Sequence, residues 1–192
     1  MNYISYLFLF FIFVPQLASA QAFGVQQGDQ ISKYGGKPTS QPNQYEIKAP
    51  QPHNEFESYL VTSTPLTGIC KITGIGKSHV SDDYGNEIKT IFLSFKTVLA
   101  NKYGNSKNFD FLKSGSIWTE PREYGWSLYK KERTLTSFWD DTEGSVNLNR
   151  IQGIMLNATA ISPSVTYLTL TYEFRNIDKC TEISASGNNA GL

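Results

Sequence analysis

In the stretch NEIKTIFLSFKTVLANKYG, apolar residues recur at spacings of three and four: Ile88, Ile91, Phe92, Phe95, Val98, Leu99 and Tyr103. That spacing places them on one face of a helix, with Lys89, Ser94, Lys96 and Asn101 mostly on the other. The pattern predicts one long amphipathic helix over about residues 86–103, with Gly104 as its C-terminal stop. A helix with a single apolar face needs a surface to cover it, so it is expected to lie on one face of a sheet. A membrane-surface helix shares this period but carries a more basic polar face.

Strand composition flanks the helix on both sides. FESYLVTS from Phe56 and GICKITGI from Gly68 are rich in β-branched and aromatic residues, and Thr64-Pro65-Leu66-Thr67 separates them, which predicts a hairpin. Upstream, a short strand is expected at Phe23 to Val25, a helical turn around Asp29 to Tyr34, and an extended piece at Tyr45 to Lys48 in a proline-rich loop. Downstream, RTLTSFWD, RIQGIMLNATAIS and TYLTLTYEFRN read as a C-terminal three-stranded antiparallel meander. Between the helix and that meander, FDFLKSGSIWTEPREYGWSLYKK is irregular; Pro121 favours a short helix and Gly125 weakens it. The small, polar tail from 181 to 192 is expected to be disordered. The expected fold class is α+β, an antiparallel sheet with the helix packed on one face, in a single domain over 21–180.

The first twenty residues, MNYISYLFLFFIFVPQLASA, break from this pattern. An apolar run from Ile4 to Val14, a break at Pro15 and the small residues Ala18-Ser19-Ala20 describe a signal peptide over 1–20, cleaved after Ala20. The run is too short for a membrane span of about 20 residues. It lacks a Lys or Arg ahead of it, which leaves an uncleaved anchor as the alternative. With cleavage, 192 − 20 = 172 residues remain, enough for a sizeable core. The expected compartment is the periplasm or the extracellular space, with no stable membrane insertion after cleavage.

Charge adds an exclusion. The 17 basic and 17 acidic residues balance, and lysines are scattered apart from Lys130-Lys131 near Arg133, so nucleic acid is not an expected partner. Nor is a nucleotide. ITGIGKSHV imitates the end of a phosphate loop, but Lys71 stands where the first Gly belongs, and Asp82-Asp83 follow where a helix should begin.

Export bears on the two cysteines. Cys70 and Cys180 are an even pair in an oxidising compartment, both beside expected strands, and a disulfide between them is expected. Two separate buried thiols are the alternative.

Chemistry-bearing motifs are sparse. His53 and His79 have no metal-ligand spacing, and Ser114-Gly115-Ser116 falls short of a nucleophile elbow. No metal or cofactor is expected, and no catalytic residue is assigned. Glu120, Glu123, Glu132, Asp140 and Asp141 are the carboxylates from which a hydrolytic pair would have to come. Trp118, Trp126 and Trp139, with Arg133, form a candidate interaction surface, although a core role for at least two of the tryptophans competes with it. Asn157-Ala158-Thr159 is a glycosylation pattern that matters only in a eukaryote.

The opening FGVQQGDQISKYGGKP resembles the entry of small bacterial envelope proteins of the BamE and lactamase-inhibitor-like fold, a fold alternative covering under a tenth of the chain. More widely, PHNEFESYLV, LTGICKITGIGK, KYG, FDFLKSGSIW, KERTLTSFW and YLTLTYEF resemble bacterial exported proteins without an assigned activity. The resemblance implies a soluble, single-domain exported protein and transfers no catalytic residue. The function expected from these readings is a non-enzymatic binding or interaction module of the bacterial envelope, with a possible protein partner there. The alternative is a small secreted hydrolase of cell-wall or sugar polymers.

Overall fold

Two antiparallel meanders meet at the centre of the molecule and form one sheet, in a computed structural model that describes residues 21–141, 144–146 and 148–189. The N-terminal part begins with a small hairpin, β1 (Gln21–Ala22) and β2 (Val25–Gln26), followed by a 3-10 turn at Ile31–Tyr34. It continues through β3 (Lys37–Pro38), β4 (Gln44–Ile47), β5 (Phe56–Thr64) and β6 (Gly68–Gly76). After β7 (His79–Val80) comes helix α1 (Asn86–Tyr103), which carries the chain to β8 (Lys107–Leu112) at the far edge. A turn at Pro121–Glu123 leads into α2 (Tyr124–Tyr129), and β9 (Arg133–Asp140), β10 (Ile151–Ser162) and β11 (Val165–Phe174) return to the centre. Helix α3 (Ile177–Asn189) ends the described chain. The strand order is β3-β4-β5-β6-β11-β10-β9-β8, with β7 pairing to β11.

Alternation decides which side is core. Along β9, Leu135, Ser137 and Trp139 are buried, and opposite them on β10 lie Leu156 and Ile154. Leu168 and Leu170 of β11 continue that face, where Ile88, Phe92, Leu99 and Tyr103 of α1 join the same core. The helix is 18 residues long and contacts β10 and β11. Its first turn is held by Asp82, whose carboxylate accepts the backbone N–H groups of Glu87 and Ile88, each at 3.0 Å, and the Thr166 hydroxyl at 2.8 Å. A carboxylate there satisfies donors that an α-helix leaves open and sits favourably at the positive end of the helix dipole.

Several expectations need correction. Residues 23 and 24 are the turn between β1 and β2, not a strand, and Phe23 sits there at φ 53°. The irregular stretch after α1 begins with β8, so the C-terminal meander has four strands. The tail expected to be disordered from 181 is helical through Asn189. Composition concealed this because α3 draws its order from attachment. Cys180 is bonded to Cys70 with Cα atoms 6.4 Å apart, Ile177 is buried beside that bridge, and Asn43 donates to Ser184 at 3.1 Å. The expected signal peptide, residues 1–20, and the last three residues lie outside the described residues. Among the described residues no helix is long and apolar enough to cross a membrane.

Candidate functional site: an aromatic groove along helix α1

The phosphate-loop imitation resolves into a packing device. Gly74 and Gly76 are in β6, where a Cβ at Gly74 would come within 2.9 Å of the Phe56 ring and within 3.2 Å of Phe23, and one at Gly76 within 2.7 Å of the Leu168 carbonyl oxygen. The missing side chain at Gly74 makes room for two aromatic rings. Phe23 meets Phe56 at 5.3 Å, Tyr59 at 4.9 Å and Tyr172 at 5.7 Å between centroids, all edge to face. Phe95 of α1 extends the cluster, 5.5 Å from Phe56 and 5.0 Å from the His53 ring. Such edge-to-face pairs each contribute about 0.5–1.5 kcal/mol beyond the area they bury. Phe23 reaches the cluster from a left-handed backbone conformation, which costs on the order of 1–3 kcal/mol for a bulky residue and tends to mark sites under functional constraint.

Phe23, Phe56, Phe95 and Tyr172 floor a cavity of about 290 Å³, lined also by Val98, Leu99 and Leu170, with Ser94, His53 and Lys102 at its polar margin. A broader hollow of about 440 Å³ shares His53, Ser94 and Phe95 and runs on to Glu55, Lys77, Thr90 and Ile91. Together they make a groove along α1 from Thr90 to Lys102, about 18 Å at the helical rise. Burial, together with its neighbour Tyr103, raises the Tyr172 hydroxyl well above the usual phenol range, so this part of the lining is neutral. A lysine stands at each end, and the Lys102 ammonium lies 4.9 Å from the centre of the Tyr103 ring. Beside the hollow, His79 has its Nε2 2.9 Å from Glu55 and its Nδ1 3.1 Å from Glu87, tying β7 to the residue ahead of β5 and to α1.

Sequence reasoning missed the groove because most of its lining comes from outside α1. His53, in the loop before β5, caps its turn, with its Nδ1 accepting the Glu55 backbone N–H at 3.1 Å, and its ring also packs on Phe95. The available signal was the width of the helix's apolar face. Ile88, Phe92, Leu99 and Tyr103 suffice for the core, while Ile91 and Phe95 are half-buried and Val98 is 63 % exposed.

The tryptophan cluster does not stay together. Trp139 is fully buried, its Nε1 donating to the Gly104 carbonyl at 2.9 Å, and so leaves the expected interaction surface. Its place in β9 sets this, because residues 135, 137 and 139 all point to the core. Trp118 and Trp126 stack at 4.8 Å with their planes 7° apart, and Trp126 is 36 % exposed. Arg133 lies over the Tyr124 ring at 4.8 Å and pairs with Asp110 at 3.1 Å, half-buried behind the surface.

The candidate carboxylates disperse. The Glu120 backbone N–H donates to Glu123, Asp140 pairs with Lys107, and Asp141 pairs with Arg175. None lines the groove. Among the described residues no three His, Cys, Asp or Glu side chains converge as metal ligands.

The chain matches no family model, no curated protein and no solved structure.

Proposed function

We propose that the protein is an exported binding protein of the bacterial envelope, periplasmic or secreted, and that it holds a small amphipathic anion in the groove along α1. One observation carries the reading: the apolar stripe of α1 is wider than the core needs, and its surplus, Ile91, Phe95 and Val98, lines a hollow with an aromatic floor. Exposing such side chains has no stabilising role, whereas an apolar cavity near 300 Å³ with a few polar groups at its rim has the character of a small-molecule site. The lysines at the two ends favour a ligand with a carboxylate or sulfonate. The leader-like first twenty residues and the Cys70–Cys180 bridge support export. Hydrolysis of a sugar polymer would need two convergent carboxyl groups. Glu120, Glu123, Asp140 and Asp141 are instead taken up in separate local contacts, which favours binding over catalysis.

The test uses anilinonaphthalene sulfonate, an aromatic anion that fluoresces on leaving water. Saturable binding at one site is expected, weakened by Phe95→Ala and by Val98→Glu while the far-ultraviolet circular dichroism is unchanged. Absence of binding, or binding indifferent to both substitutions, would sink the reading.

A further inference from the structure

The two edges of the main sheet are treated differently. One ends in β3, two residues long and containing Pro38, which cannot donate to another strand. The other ends in β8, six residues without proline, with Phe109 45 % and Phe111 52 % exposed.

The direction of the backbone groups in β8 follows from its pairing. Lys113 N–H donates to the Glu132 carbonyl at 2.7 Å, in the same register that sets Phe111 opposite Thr134 and Phe109 opposite Thr136. Hydrogen-bonded pairs alternate along an antiparallel ladder, so Phe109 and Phe111 use their backbone groups on β9. Asn108, Asp110 and Leu112 therefore point theirs outward, and among the described residues no backbone group bonds to them there.

We infer that β8 is a self-pairing edge that joins two copies of this chain, antiparallel and about a two-fold axis at Asp110. In that register Asn108 faces Leu112 of the second copy, Asp110 faces Asp110, and Leu112 faces Asn108. All the outward groups are used, two bonds in each of three pairs. Phe109 then lies opposite Phe111 of the second copy, twice, in the closer non-hydrogen-bonded positions, and all four rings fall on the same face of the joined sheet. A shift by one residue would set the phenylalanines against the core-side residues and is excluded by the pleat. A shift by two loses one of the three hydrogen-bonded pairs. Opposition of the two Asp110 carboxylates works against pairing, which each copy's Arg133 moderates from 3.1 Å away. The result is a weak, concentration-dependent dimer of the class that buries less than about 1,200 Å². The inference is independent of the groove, which lies along α1.

Sedimentation equilibrium of the purified protein, with amide hydrogen exchange at low and high concentration, tests it. A monomer–dimer equilibrium is expected, in which the amides of Asn108, Asp110 and Leu112 gain protection as concentration rises while those of Phe109 and Phe111 do not change. Asp110→Pro removes an outward donor and the carboxylate that pairs with Arg133 but leaves the bonds of Phe109 and Phe111 to β9 in place, and it is expected to leave the fold intact and the protein monomeric. Asp110 is the one position opposite itself, so Asp110→Cys is expected to give a disulfide-linked dimer on oxidation, at a Cα separation near 5.5 Å. Monomer mass up to about 1 mM, a dimer that survives Asp110→Pro, or protection at the Trp118/Trp126 stack in place of β8 overturns it. If Asp110→Pro misfolds, the exchange pattern of the unaltered protein decides.

Discussion

Helix α1 has two apolar edges built from the same kinds of residue, and they have different fates. On one, Ile88, Phe92, Leu99 and Tyr103 are closed over by β10, β11 and their neighbours. On the other, Ile91, Phe95 and Val98 face a groove that the rest of the chain leaves open. The first edge contributes stability because its water is removed on folding. The second keeps part of that driving force for an incoming ligand, most of it at Val98, since Ile91 and Phe95 are already partly packed against the core. Periodicity alone does not distinguish them, since both edges obey the same spacing.

The sharpest way to break this contrast is to truncate one side chain on each edge. Phe92→Ala should lower stability by about 3–5 kcal/mol, measured by urea denaturation, because it leaves a cavity in packed surroundings. Val98→Ala, on the open edge, should remain within about 0.5 kcal/mol of the parent. Helix α3 sharpens the point from another side, since among its described side chains only Ile177 and Cys180 are buried. Replacing Cys70 and Cys180 together by Ser should cost about 2–5 kcal/mol, and amide exchange over 177–189 should rise before exchange in α1 does.

Asp82 supports both edges of α1 by holding its first turn. Asp82→Ala should cost about 1–3 kcal/mol, because two N–H groups and the Thr166 hydroxyl lose their acceptor in a buried place. Thermal unfolding measures it, and a change below a few tenths would show that the turn is held by something else. On the groove side, Phe95→Ala should weaken anilinonaphthalene sulfonate by about tenfold with a smaller loss of stability than Phe92→Ala. The smallest effect is electrostatic. Lys102→Glu should weaken the same anion a few-fold at low salt and less at high salt, with the melting temperature little moved.

Legibility in the sequence followed the range of the interactions. Helix α1, the β5–β6 hairpin and the strands β9, β10 and β11 were readable, because each repeats its own period over eight or more residues. Strand β8 was not, since its alternation, Asn108-Phe109-Asp110-Phe111, runs for only four residues and both its faces are largely exposed. Helix α3 was not, because its order comes from a bond to a residue 110 positions away. The groove was half legible. The excess of apolar positions on α1 was there to be counted, but Phe23, His53 and Phe56 reach it from a strained turn, a loop and the start of a strand.

Local pattern by itself determined α1, the β5–β6 hairpin, strands β9 to β11 and the antiparallel α+β class, and with two cysteines it left a single intramolecular pairing open, whereas the bond itself was decided by where the fold brings Cys70 and Cys180. Which apolar residues are sealed and which remain open was decided only in three dimensions. Burial depends on what arrives on the other side of a residue, and at Val98 and Phe109 little else in the described chain does. The same holds at Trp139, where a residue type suited to an interface is enclosed because the alternation of β9 points it inward.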